Sequence, residues 1–256
     1  MGDPVADILE QVRTEETPAG DEPSTGSTLS LRRLCHVATR LVGVRGAAIN
    51  VVATDGAPQL RAASDGVERP LEGLQQVIGA GPGAEAFETS RPVLVPDLDA
   101  VDPTRWPGYP GAARADGIRA VFAVPLQVGA VRLGSLELYR SEPGGLAADE
   151  LTSAFSLADA AVSLLLDEHF PIEGALVGPA ASLPYRAEIF QAQGMVMMQL
   201  GVSLREAMLR LRAHAFVNDA DLADVARQVV DHRLRLHRSD EEGGSYDGPV
   251  KREGGR

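Results

Sequence analysis

The sequence predicts an α+β domain built on a mainly antiparallel sheet with helices packed on it, followed by a small all-α module of three helices. Three observations carry this reading. Five short segments of strand character fall between residues 47 and 140, and hairpin-length links join the first two and the last two. Apolar residues at helical spacing bracket them, over residues 31–42 and 146–169. After residues 170–184, which hold three Pro and two Gly, three shorter amphipathic segments follow with stops and caps between them.

Residues 1–27 read as a short helix at best and then a disordered stretch, because residues 14–27 combine Glu, Pro, Gly, Ser and Thr with almost no apolar side chains. Leu31, Leu34, Val37, Ala38, Leu41 and Val42 then mark a helix that Gly43 stops. Residues 47–53 and 59–64 form two strands around the turn signal Asp55-Gly56. Leu71, Leu74, Val77 and Ile78 mark a short helix ending at Gly79. Gly81-Pro82-Gly83 breaks the chain before a helical turn at 84–89, and residues 91–95 form a third strand. Residues 97–117 read as a loop containing Trp106 and Tyr109. Residues 119–128 form an interior strand, Gly129 turns the chain, and residues 131–140 alternate as a half-buried strand does. Leu151, Phe155, Leu157, Ala158, Ala161, Val162, Leu165 and Leu166 define a long closing helix. Hairpin links imply antiparallel pairing with helices layered on the sheet.

The C-terminal module opens with a helix over 185–200, striped by Ile189, Ala192, Val196 and Leu200 and ended by Gly201. Ser203-Leu204-Arg205-Glu206 is a capping box for a second helix, whose apolar set is Leu204, Ala207, Met208, Leu211 and Ala215. Asn218 or Asp219 caps a third, with Leu222, Val225, Ala226, Val229 and Val230 inward. The predicted organisation is a disordered segment (1–27), the α+β domain (28–169), a linker (170–183), the helical module (184–237) and a disordered tail (238–256).

Charge and composition exclude several functions. The chain of 256 residues is 44% hydrophobic, enough for an ordinary core. It has no apolar run of about 18 residues, so no membrane span is expected. Asp3, Asp7 and Glu10 occupy the start without a basic stretch, which does not fit a secretory signal. Cys35 is the single cysteine, so a reducing cytoplasm is the expected compartment. The only lysine is Lys251. This leaves no phosphate-binding G-x-x-x-x-G-K-[ST] loop, no buried Schiff-base lysine and no lysine for a phospho-accepting receiver. No nucleophile–base pair or metal set stands out, so no enzyme is expected. Net charge is −12, but residues 183–238 hold eight Arg against six Asp or Glu. Any nucleic-acid contact is therefore expected in the C-terminal module.

Residues 186–234 resemble the ANTAR domain. The matching residues are Ile189, the run from Gln191 to Met197 (Q-A-Q-G-M-V-M), Gly201-Val202-Ser203, Glu206-Ala207, Leu211-Arg212, Ala215 and the run from Leu222 to Ala226. The resemblance implies a three-helix module that binds paired stem-loops in nascent transcripts and prevents termination. It also implies a first helix that contributes to a coiled-coil dimer. Gln193 stands where the family usually has Lys. Residues 29–168 resemble a GAF domain, through G-A-G-P-G-A-E-A-F-E-T-S-R-P-V-L-V-P-D-L at 79–98 and the final hairpin at 126–140. That implies a sensor of a small-molecule or protein signal. The N-K-x-F-D-E signature of cyclic-nucleotide binders is absent, and Cys35 falls on a helix rather than on a bilin-attaching loop. No cofactor is assigned.

The expected RNA-binding residues are Arg186, Gln193, Arg205, Arg212, Asn218 and Arg227. Arg205 and Arg212 lie seven apart, share a helix face and are expected to be exposed. The alternative is a DNA-binding regulator with a helix-turn-helix-like module. Asp219 and Asp221 at the head of the third helix oppose a phosphate-lined groove. Simple packing accounts for Met195, Met197, Met198 and a buried Cys35. Asp97 and Asp99 read as loop or cap residues, and Gly81-Pro82-Gly83 as a tight turn or an anion cradle. The stripe of the first module helix and the long sensor helix both call for a partner, so a homodimer is expected.

Overall fold

The computed structural model describes residues 3–15, 27–52, 58–64, 80–169 and 183–237. The turn at Asp55-Gly56, the helix expected at 71–79, most of the linker and the tail lie outside the described residues. Five strands pair antiparallel throughout: β1 (Gly46–Val52), β2 (Pro58–Ala63), β3 (Val93–Val95), β4 (Ala120–Val128) and β5 (Val131–Arg140). Their order across the sheet is β2-β1-β5-β4-β3.

Helices α1 (Pro4–Thr14), α2 (Ser27–Val42) and α5 (Ala148–His169) cover one face. Helices α3 (Pro82–Thr89) and α4 (Tyr109–Ala115) lie on the other. Helices α6 (Leu183–Leu200), α7 (Leu204–Val217) and α8 (Leu222–Val230) form the C-terminal module.

Three expectations are sharpened or changed. Residues 4–14, read as a short helix at best ahead of a disordered stretch, form the 11-residue helix α1. Asp3 caps it by accepting from the Val5 amide at 3.0 Å, and Pro4 follows where a missing N–H costs nothing. Val5, Ile8, Leu9 and Val12 repeat at helical spacing and pack on the core beside α2 and α5. Residues 97–117, read as a loop, contain a 3₁₀ turn (Leu98–Ala100) and α4. Asp97 caps that turn by accepting from the Asp99 amide, and Asp99 pairs with Arg114 and Arg119. Trp106 and Tyr109 sink against the sheet edge-on, their rings 6.0 Å apart.

β5 was expected to be half-buried and is buried on both faces, because helices cover the sheet on either side of it. A register shift opposite Leu126 and Gln127 inserts Leu133 as a bulge. Val131 and Leu133 before it and Leu136 and Leu138 after it therefore all face the same core, which strict alternation would forbid. Ser135 and Glu137 point the other way and are buried, Glu137 completely. Its carboxylate accepts from the Asn50 amide at 3.0 Å and from the Tyr139 hydroxyl at 3.3 Å.

This carboxylate also explains Gly81-Pro82-Gly83. The first turn of α3 lies directly over it, and a Cβ at Gly83 would sit 2.0 Å from Glu137 Oε1. The partial positive charge of that turn favours an anion there. The space beneath the loop is filled by the chain's own Glu137 carboxyl. Gly83→Ala is expected to destabilise the domain by about 1–3 kcal/mol through overpacking. Gly83→Ala combined with Glu137→Ala should cost less than the sum of the single changes, since both act on one contact. Urea denaturation of the four proteins checks this, and strict additivity would contradict it.

Candidate nucleic-acid interface

The module has its own core of Ile189, Ala192, Val196 and Leu200 from α6, Ala207, Met208, Leu211 and Ala215 from α7, and Leu222, Val225, Ala226 and Val229 from α8. The α6 stripe expected to seek a second subunit is thus used inside the module. The face of α6 left open carries Phe190 and Met198, 50% and 77% exposed.

Ser203 caps α7 by accepting from the Glu206 amide at 3.1 Å, the first half of the capping box, while the Glu206 carboxylate accepts from Arg210 instead of the Ser203 amide. The cap of α8 differs from expectation. Asp221 supplies it, accepting from the Ala223 amide at 2.8 Å. Asn218 instead closes the end of α7, donating its side-chain amide to the His214 carbonyl at 2.8 Å. The shorter Asp221–Ala223 geometry leaves Asn218 one turn too early to reach the α8 amides.

The remaining candidates fall in separate places. Gln193 donates to the Leu204 carbonyl at 2.7 Å, tying α6 to the first residue of α7. Arg227 on α8 pairs with Asp224 at 2.6 Å and reaches Glu188 of α6 at 3.5 Å. Arg186 lies on α6, with its side chain outside the described residues. Arg205 and Arg212 do share a face of α7, but that face meets the sheet domain.

The α7 contact with that domain has apolar and charged parts. Ala213 is fully buried as a member of the sheet domain's own core, and Leu209, Phe216 and Val217 pack around it. Arg212, expected to be exposed, is 4% exposed. It is ion-paired with Asp167 in the last turn of α5. The C-terminal end of a helix carries partial negative charge, so a guanidinium is doubly favoured there and Asp167 loses its repulsion with the helix dipole. Arg205 remains exposed and pairs with Asp3 at 3.2 Å, at the cap of α1. Arg210 lies flat against the β4–β5 turn. Its Nε donates to Glu206 at 2.8 Å and its Nη1 to the His237 carbonyl at 3.2 Å. A Cβ at Gly129 in that turn would meet Arg210 Nη1 at 2.5 Å, and the backbone there has φ +60°.

Repulsion opposes these attractions. Burial pushes the Asp159 carboxyl of α5 above its ordinary range, Glu206 of α7 pushes it further, and Arg205 partly compensates. Burial also lowers the His214 imidazole on α7. Among the described residues no cluster of three or more metal-ligating side chains occurs, and no helix is long and apolar enough to cross a membrane.

The described chain thus comprises a five-stranded antiparallel sheet with helices on both faces and a three-helix module whose helix α7 contacts both cores. The GAF domain family matches residues 30–165, more than half of the chain, and the ANTAR domain matches residues 180–230. The chain belongs to the GAF domain family and carries a C-terminal ANTAR domain. Similar solved structures include the GAF domain of a phosphoenolpyruvate-protein phosphotransferase from Coxiella burnetii. It is 16% identical, the match covers 64% of this chain and 95% of that one, and the TM-score is 0.48. The corresponding domain from Acinetobacter is 12% identical over 70% and 96% of the two chains, with a TM-score of 0.47. A type II free methionine-R-sulfoxide reductase from Thermoplasma acidophilum is 13% identical over 55% and 93%, with a TM-score of 0.43. No curated protein sequence matches the chain.

The raised Asp159 carboxyl has a definite pH consequence. A carboxyl whose folded pKa lies above its unfolded value contributes stability that is full below the unfolded value and is lost as pH rises through the folded one. At pH 7 Asp159 is therefore a net liability. Asp159→Asn is expected to raise the urea midpoint at pH 7, with the gain shrinking toward pH 4. Asp159 keeps much of its surface in water, so the gain is modest. A gain that is equal at both pH values would contradict the assignment.

Proposed function

We propose that this protein is a signal-responsive, non-enzymatic transcription regulator that binds stem-loops of nascent RNA through its ANTAR domain and acts by antitermination in the cytoplasm. The GAF domain is the input and takes a small-molecule or protein signal. The match of residues 180–230 to the ANTAR domain carries the reading. The Ser203 cap and the α6–α8 core support it, since the helix order and caps agree with the motif. The acids Asp221 at the cap and Asp224 in the first turn of α8 weigh against the DNA alternative, because a recognition helix leads into the groove with that end. Arg186, Gln193, Arg205, Arg212, Asn218 and Arg227 remain the proposed RNA contacts. The open α6 face with Phe190 and Met198 supports a homodimer, because an exposed apolar face on an otherwise packed helix asks for cover.

Filter-binding titrations with a pool of two-stem-loop RNAs of randomised loop sequence test the reading. The protein should retain this RNA and leave duplex DNA unbound. Two arginine–phosphate contacts give a slope of log K against log salt of about −1.4, and Gln193→Lys should steepen it by about 0.7. Equal or tighter binding of duplex DNA would overturn the RNA reading. Light scattering at tens of micromolar checks assembly, where a strict monomer would contradict the dimer.

A further inference from the structure

We infer that the docked position of α7 is a closed state in which the sensor domain withholds the module's RNA-binding arginines, and that release of α7 opens it. The inference rests on the RNA reading proposed above and deepens it. Arg205 and Arg212 lie on one helix face, and both meet an aspartate of the sensor domain: Asp3 at the cap of α1 and Asp167 at the end of α5. Carboxylates and phosphates compete for the same guanidinium forks. Arg212 cannot hold Asp167 in this geometry and also meet a phosphate in solvent, because its side chain is buried.

The contact has the physical make-up of a switch. Its apolar part is small, since Ala213 is the one α7 residue fully inserted in the sensor core, with Leu209, Phe216 and Val217 only partly buried. Its charged part depends on partners, because a guanidinium buried without its counter-ion is strongly disfavoured. Asp159 and Glu206 add repulsion across the same contact. The module keeps a complete core of its own when α7 leaves the sensor, because Ala207, Met208, Leu211 and Ala215 face α6 and α8. Release therefore frees a folded module. The sensor elements that hold α7 are the last turn of α5, the cap of α1 and the β4–β5 turn. All three belong to the domain that receives the signal, so a ligand that favours a different position of any of them opens the module by population shift.

The test leaves all of the proposed RNA contacts intact. In the full chain, Asp3→Asn with Asp167→Asn should loosen α7. Ala213→Gln, a neutral wedge at a position outside the module's own core, provides a second route. Hydrogen exchange over α5 and α7 reads release, and filter binding to the randomised-loop RNA pool reads function. Faster exchange together with binding at least about fivefold tighter than wild type is the expected result. Faster exchange with unchanged binding overturns the gating and leaves RNA binding standing. Unchanged exchange in both variants overturns the closed state itself. Faster exchange with no RNA bound by any form overturns the RNA reading, and the gating falls with it.

Discussion

A helix with one apolar stripe can serve one core, and the arrangement of this molecule follows from the fact that α7 serves two. Ala207, Met208, Leu211 and Ala215 complete the three-helix module, while Ala213, flanked by Leu209, Phe216 and Val217, enters the sensor core. The alternation of these two sets around the helix leaves little perimeter for water. The polar residues that remain must then be paired at the seam, and Arg205, Arg210 and Arg212 are. An isolated module would expose the second apolar set, and an isolated sensor would expose the floor that receives it.

The electrostatics agree with this division. The C-terminal segment is near neutral to slightly basic, and nearly all of the chain's excess acid lies outside it. Long-range attraction thus favours contact between the two parts before any specific pair forms. The pairs then set the register, Arg212 on Asp167 and Arg205 on Asp3, while Asp159 and Glu206 face one another as like charges across the contact. A seam built from few apolar groups and partner-dependent charges has the composition of a transient interface rather than a permanent one.

Much of the architecture was legible in the sequence, and the gaps have identifiable physical causes. Strand positions and the three module helices follow from periodicity and punctuation, and Ser203 caps α7 as read, while the Glu206 carboxylate accepts from Arg210 rather than closing the box. The helix α4 was hidden because Gly108 and Pro110 are loop signals in isolation, yet Pro suits a first helical turn and Tyr109 is anchored by burial. The polar alternation of β5 looked solvent-facing, since nothing local reveals that α3 covers Ser135 and Glu137. The docking of α7 was the largest omission. Its signal was present in Leu209, Ala213, Phe216 and Val217, which lie off the main stripe, but Arg212 beside them reads as a surface residue until Asp167 is found 45 positions away.

The turn joining β4 and β5 shows what this coupling demands of the length of the chain. Short surface turns are ordinarily where a fold accepts insertions at little cost. Here Gly129 and Ala130 are the whole turn, closed by the pairing of Val128 with Val131, and Arg210 of the module rests on it without room for a methyl group. Lengthening the hairpin by even a residue would lift the module from the domain that holds it. The tip of this hairpin is therefore a site where the length of the chain is under constraint.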